Sequence, residues 1–119
     1  MVAIALHKRA LDGDCEIFFW KDPQQREVDF VVKKDRRVTQ LIQVCQDMSR
    51  PETRRREIRA LLKAAEALSC DQLLVLTADT DGEEEVEWYA TRRNVRLLPL
   101  RRWLLESSQL VSGQDEVRE

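Results

Sequence analysis

A nearly continuous apolar run that follows a long amphipathic helix constrains the fold of this chain more than any other feature. The run is QLLVLT, residues 72–77. A strand with apolar side chains on both faces is typical of a sheet that is covered on both sides. When a helix leads into such a strand, the connection is expected to be a parallel crossover. The sequence therefore predicts an α/β domain.

The helix before this run is predicted from about residue 49 to residue 68. Ser49 and Glu52 have the spacing of a capping box, and Pro51 stands in the first turn, where no backbone donor is needed. Apolar residues then recur with helical spacing and predict one buried face: Ile58, Leu61, Leu62, Ala65 and Leu68.

Two strands with alternating apolar residues precede the helix. In REVDFVVKK the predicted faces are Val28, Phe30 and Val32 against Glu27, Asp29 and Val31. In VTQLIQVCQ they are Val38, Ile42 and Val44 against Leu41, Gln43 and Cys45. Matching the apolar faces pairs Phe30 with Ile42 and Val28 with Val44, and it puts Asp29 opposite Gln43 and Glu27 opposite Cys45. The connection is predicted to be a three-residue turn, 35–37, with one residue at positive φ.

The rest of the chain completes a mixed sheet. A short helix is expected over residues 2–12, ending at Gly13, then a strand at 15–21 and a turn at 22–25. Residues 79–93 carry both helix-like charge order and the strand-like alternation of Val86, Trp88 and Ala90, so both alternatives stay open. A strand at 95–100 and a short helix follow. Residues 1–106 are predicted to form one domain and residues 107–119 a flexible tail.

Composition restricts the function classes. The chain has 119 residues and a formal net charge of −2, which argues against a surface built throughout for nucleic acid or anionic membrane. It contains no apolar run near the roughly 20 residues that span a bilayer, so no membrane partner and a cytoplasmic location are expected. Cys15, Cys45 and Cys70 are widely spaced and accompany a single histidine, which predicts reduced structural thiols rather than a zinc site.

Several stretches resemble a known superfamily. EVDFVV (27–32) and LIQVC (41–45) look like the two motif strands of the PD-(D/E)XK nucleases. Together with FFWKD, the S-x-P-E-T-R-x-R-E-I-x-A-L helix and LLPLRRWLL, they resemble the domain of unknown function at the C-terminus of many archaeal and bacterial AAA-type ATPases. The resemblance implies a restriction-endonuclease-like three-layer α/β core, with a mixed sheet in the order helix-β-β-β-helix-β.

The same resemblance locates a nuclease site and shows that it is degenerate. Active members hold Mg²⁺ between two acids on neighbouring strands, with a lysine two residues beyond the second acid. Asp29 matches the first acid, while Gln43 stands at the second acid and Cys45 at the lysine; a helical glutamate falls at Ala5. We therefore expect no catalysis and no bound metal, with Asp29 the ligand if any metal binds, and a hydrogen-bonded Asp29–Gln43 pair instead.

Three functions remain open on this basis. The first is a non-catalytic interaction module whose partner is an AAA-type ATPase or a second copy of the chain. The second is a DNA endonuclease that uses Mg²⁺ or Mn²⁺, with Glu27 as an auxiliary carboxylate on the face of Asp29. The third is DNA binding without cleavage through Arg56, Arg59 and Lys63, although ion pairs such as Glu52–Arg56 would make the same residues a solvated helix face.

Overall fold

The structure, a computed structural model, describes residues 15–24, 26–45, 47–88 and 91–106. The predicted helix at 2–12, the Ala5 position and the tail at 107–119 lie outside the described residues. The elements are β1 (Glu16–Lys21), β2 (Glu27–Lys34), β3 (Arg37–Val44), α1 (Pro51–Leu68), β4 (Leu73–Thr77), β5 (Gly82–Trp88) and β6 (Thr91–Pro99). Residues 100–106 are helical.

All six strands form one mixed sheet in the order β1-β2-β3-β4-β6-β5. β1, β2 and β3 are antiparallel neighbours, whereas β4 is parallel to both β3 and β6. The parallel crossover from β3 through α1 to β4 confirms the prediction made from the apolar run, and all five residues of β4 are buried. Of the two structures left open for residues 79–93, helix and strand, the structure has a strand, because β5 pairs antiparallel with β6.

The two faces of the sheet carry separate cores. On one face α1 packs through Ile58, Leu61 and Leu62 against a cluster that includes Leu41 and Val75. On the other face the helical residues 100–106 supply Trp103, which is buried against Ile42, Leu74, Leu76 and Leu98. Trp103 is buried, and the buried, unpaired state of all three cysteines agrees with the prediction of reduced structural thiols.

A β-bulge in β2 corrects the predicted strand faces. Phe18 of β1 pairs with Val31, but Trp20 pairs with Val28, so β2 contains one more residue than β1 in this interval. The extra residue reverses the alternation: Val28 packs with Val31 on the α1 side, whereas Phe30 and Val32 belong to the opposite core. Simple period-2 counting through REVDFVV was therefore wrong at Val28, because a bulge shifts every residue on one side of it.

The hairpin between β2 and β3 also differs from its prediction. Phe30 pairs with Ile42 as expected, but beyond Val32–Gln40 the register shifts to Lys33–Val38. The turn is thus two residues long, and both of them, Asp35 and Arg36, have positive φ, at 53° and 68°. Two-residue turns of this handedness match the twist of the strands. A second bulge, at Thr39, gives β3 one more residue than β2, and it places Val38 on the α1 side of the sheet.

Helix α1 ends where the sequence places its end but begins differently. Its N-cap is Arg50, without a side-chain hydrogen bond, so the predicted Ser49–Glu52 capping box is wrong. Asp47 accounts for this, since its carboxylate accepts both the backbone N–H and the hydroxyl of Ser49. At the other end Ser69 adopts the left-handed conformation at φ 53°, and the Cys70 N–H donates to the Ala65 carbonyl.

Candidate functional site

The positions that resemble nuclease motif residues lie together where β2 and β3 meet the start of α1. Gln43 is 1% exposed, at the carboxyl end of β3, and its side chain points to the α1 side of the sheet. Asp29 lies on the neighbouring strand β2, inside the bulged interval, and is exposed. The regular β2–β3 pairing extends no further than Phe30–Ile42, so both residues stand just past the end of the ladder.

The amide of Gln43 continues this ladder with a side chain. Its Oε1 accepts the backbone N–H of Asp29 at 2.8 Å, and its Nε2 donates to the Glu27 carbonyl at 2.8 Å. A longer contact of 3.5 Å joins Nε2 to the Glu57 carbonyl on α1. One buried side chain thereby satisfies a donor and an acceptor of β2 that lie beyond the last β2–β3 backbone pair.

Asp29 makes the reciprocal contact. Leu41 and Cys45 direct their N–H groups towards β4, so the N–H of Val44 faces β2. The Asp29 Oδ2 accepts that N–H at 2.9 Å. The expected hydrogen bond between Gln43 and Asp29 is therefore present, but each side chain bonds the other strand's backbone rather than the other side chain.

Cys45, at the position of the nuclease lysine, is a buried neutral thiol. Its Sγ lies 3.6 Å from the Asp47 carbonyl, to which it donates. Burial is the largest cause that raises the pKa of this thiol, and the negative charges of Glu57 and Asp47 raise it further. A thiol that stays protonated at neutral pH supplies neither the positive charge of a lysine nor a nucleophilic thiolate.

Glu27 is not positioned as an auxiliary carboxylate. It is the cross-strand neighbour of Lys21, and the two side chains form an ion pair at 3.6 Å with the carboxylate 52% exposed. Because the bulge turns Val28 towards α1, the predicted shared face of Glu27, Asp29 and Val31 is broken. Glu27 thus serves as half of a surface ion pair.

The site contains one acidic residue that the sequence analysis missed. Glu57 lies in the first half of α1, next to Ile58 of the buried stripe. Burial is the main cause that raises its pKa, and the nearby charge of Asp29, with a smaller effect of Glu27, raises it further, against the lowering effect of Arg56. The sequence did hold a signal for Glu57, because it directly precedes Ile58, the first buried residue of α1. A helix that crosses over β3 to reach β4 packs this part of its surface near the motif strands.

The residues predicted to bind phosphate lie on the outer side of α1. Arg56 is exposed and forms its ion pair with Glu57, at 3.8 Å, rather than with Glu52. Arg59 lines a cleft of about 280 Å³ between α1 and β5, together with Arg55, Ile58, Leu62, Val86 and Glu87. Arg55, Arg59 and Lys63 follow one another at intervals of four residues, and none of them has an ion-pair partner among the described residues.

Comparison with known families matches residues 1–103 to the model named Domain of unknown function (DUF4143). The chain belongs to the DUF4143 family. This family is known to occur with AAA-type ATPases. No curated protein matches the chain. Among the helices of the described residues of this DUF4143 domain, none is both long and apolar enough to cross a membrane.

The donor set of this DUF4143 domain does not fit a divalent cation. Magnesium and manganese require several oxygen ligands that converge on one point, usually with carboxylates to offset the charge. Here one Asp29 oxygen and the Gln43 amide oxygen already accept backbone hydrogens, and the third position is a thiol. Within the described ranges no group of three or more His, Cys, Asp or Glu residues is placed to hold a metal ion.

Restoring the acid at position 43 is expected to destabilise the domain. Gln43→Glu removes the donor to Glu27 O and adds a buried carboxylate beside Asp29 and Glu57, for a cost of about 2–4 kcal/mol in the free energy of unfolding at neutral pH. Urea denaturation measures this cost. Gln40→Glu, the same change on the same strand, is the control and should cost much less. A stable Gln43→Glu variant that gains further stability from Mg²⁺ would contradict this account of the site.

Removing the charge of Glu57 is expected to stabilise the domain in a pH-dependent way. A carboxyl whose pKa is raised by folding binds its proton more tightly in the native state, so wild-type stability falls as the pH rises through the raised pKa. Glu57→Gln should therefore unfold at a higher temperature than wild type at neutral pH. The difference should vanish below the ordinary glutamate pKa, where the wild-type side chain is protonated in both states. Glu66→Gln, the same substitution at an exposed position of the same helix, is the control variant.

Proposed function

We propose that this chain is a non-catalytic interaction domain with a restriction-endonuclease-like fold, and that it acts together with an AAA-type ATPase. The observation that carries the proposal is the state of Gln43, whose buried amide bonds the backbone of β2 at both of its ends. A second acid at this position would ligate a metal, whereas this amide joins two strands. The motif position therefore contributes to the fold rather than to chemistry.

Support for the nuclease-related fold comes from the order of the elements around the site. Three antiparallel strands, a long helix and a buried parallel strand follow one another, with the motif residues on β2 and β3. The sequence resemblance predicts this order for the PD-(D/E)XK core. The first helix of that core would fall outside the described residues, so the proposal depends on β1 to β4 and α1.

The ATPase partner is proposed from the family's occurrence with AAA-type ATPases. The chain itself contains no G-x-x-x-x-G-K-[ST] stretch, which is the loop that cradles the phosphates of ATP in such enzymes. Nucleotide hydrolysis would therefore have to come from residues other than these 119. The contribution of this domain would be binding.

A plasmid-nicking assay tests the absence of nuclease activity. The purified domain with Mg²⁺ or Mn²⁺ should leave supercoiled plasmid intact, because Asp29 has no acid partner on β3 and Cys45 brings no positive charge. Asp29→Ala should behave in the same way as wild type. Metal-dependent cleavage by wild type that is lost in Asp29→Ala would overturn the proposal, since a contaminating nuclease would persist in both preparations.

DNA binding without cleavage is a second candidate, favoured by the basic ridge of Arg55, Arg59 and Lys63 on α1. These three side chains are spaced about 6 Å apart along the helix axis, at 1.5 Å per residue. They are free of described ion-pair partners, so they could contact successive phosphates. Against this stands the net charge of −2 over the whole chain.

Binding to a fluorescent DNA duplex at several salt concentrations tests this second candidate. If the ridge binds phosphates, the affinity should fall by about tenfold or more between 50 and 200 mM salt, as expected for several displaced counterions. The double variant Arg55→Gln with Arg59→Gln should weaken binding and reduce the salt dependence. Arg101→Gln with Arg102→Gln, on the helical residues 100–106, is the matched control. Affinity that is indifferent to salt would exclude the ridge as a DNA-binding surface.

A further inference from the structure

Strand β1 is an edge strand of the sheet that the described residues form. Among the described residues it has one hydrogen-bonded neighbour, β2, and it stands first in the strand order. The outward half of its backbone N–H and C=O groups therefore faces away from the sheet. Such an edge is a template for a further strand unless charges, prolines or a covering segment protect it.

The side chains of β1 do not protect this edge. Phe18 is 47% exposed and Phe19 is 63% exposed, and as consecutive strand residues they point to opposite faces. They are two of the three large hydrophobic residues that are exposed in the described part of the chain. Charges occur only at the strand ends, at Glu16 and Lys21, and no proline interrupts the strand.

The opposite edge of the same sheet is constructed differently. β5 is the last strand in the order and has the sequence GEEEVEW, with four glutamates in seven residues. Charged side chains along an edge strand oppose the approach of another strand, and here three of the four glutamates, Glu84, Glu85 and Glu87, also form ion pairs with arginines. The contrast is that β5 carries charged side chains along its length, whereas β1 exposes aromatic rings beside backbone groups that have no partner within the described residues.

We propose that β1 is a self-association edge, at which β1 pairs antiparallel with β1 of a second copy of this chain. A second copy fits because the apolar centre of the strand, Ile17 to Phe19, can oppose the same three residues of another copy. In an antiparallel pair, directly opposed residues lie on the same face of the sheet. A two-fold axis therefore has to set one residue opposite its own copy, because an axis between two residues would oppose side chains of different faces. Centred on Phe18, the pairing brings the two Phe18 rings together on the α1 side and sets each Ile17 against a Phe19 on the other side.

The alternative centre is less favourable. With the axis at Phe19, each Ile17 would oppose Lys21, which sets an apolar side chain against a cation. Each Glu16 would oppose Asp22, which sets two negative charges against each other. The Phe18-centred register opposes no like charges and keeps Lys21 away from Ile17, while it sets Glu16 against Trp20 and Cys15 against Lys21. It also leaves Lys33, whose Nζ lies 5.8 Å from the Phe18 ring centroid, beside the paired rings.

The expected dimer is weak. β1 has six residues, which span about 20 Å. Two such strands with their aromatic side chains bury less than the roughly 1,200 Å² of a standard stable interface, so the dissociation constant should be micromolar or weaker. The dimer would hold a continuous sheet of twelve strands, two copies of the six described here. This inference does not depend on the proposed partnership with an ATPase.

Analytical ultracentrifugation over a wide concentration range tests the self-association. The wild-type chain should shift from monomer to dimer, and Phe18→Lys should weaken the dimer at least tenfold. Leu105→Lys is the matched control, because Leu105 is also a large exposed hydrophobic residue, at 59%, but lies far from β1 in the chain. A wild-type chain that remains monomeric throughout, or a dimer that Phe18→Lys leaves unchanged, would overturn the proposal.

Cysteine cross-linking tests the register. Under mild oxidation Phe18→Cys should form a disulfide-linked dimer, because position 18 meets its own copy at the axis. Phe19→Cys should not, because position 19 meets Ile17. The three native cysteines are buried, so the wild-type chain gives the background level. Cross-linking through position 19 but not through position 18 would overturn the Phe18-centred register.

Discussion

The Gln43 amide is the interaction on which the arrangement around the motif strands depends. Where the β2–β3 ladder stops, its oxygen and nitrogen take the Asp29 N–H and the Glu27 carbonyl, each at 2.8 Å. Without it, β2 would leave a donor and an acceptor unsatisfied near the buried core, which costs about 1–3 kcal/mol for each group. A glutamate could accept one of these bonds but could not donate the other while ionised. The role that Gln43 has in the fold therefore conflicts with the role of a metal ligand.

The bulge in β2 lies at the point where this requirement arises. By adding one residue against β1, it turns Val28 into the core below α1 and leaves Asp29 at the point where the strands separate. Asp29 then bonds Val44 N–H across the gap. Bulges next to active sites commonly redirect a side chain. In this domain the redirected aspartate bonds the neighbouring strand. Glu57, the nearby acid on α1, has a pKa that burial and the charge of Asp29 raise above its usual value.

The sequence predicted most of the described elements, left β5 open between helix and strand, and could not predict the local exceptions. The apolar run of β4 and the stripe of α1 gave the crossover and the buried central strand, because hydrophobic periodicity reports burial directly. The pairing of Phe30 with Ile42 was also predictable. The bulges were not, because an extra residue leaves no mark in an alternating pattern such as REVDFVV. For the same reason the face of Val28, the two-residue turn at Asp35 and the exposed position of Glu27 had to come from the structure. Ser49 was misassigned because its competing partner, Asp47, is two residues earlier in the chain.

The central place of β4 has a consequence for how this domain comes apart. Leu73 and Val75 contribute to the core beneath α1, while Leu74 and Leu76 contribute to the core beneath Trp103. If either α1 or the helical residues 100–106 detached, alternate side chains of β4 would be exposed to solvent. The same strand is also packed in the core on the other face of the sheet. The two cores are thereby coupled through five residues of backbone, and the domain should lose its structure in one cooperative step, with the amide hydrogens of β4 the last to exchange with solvent.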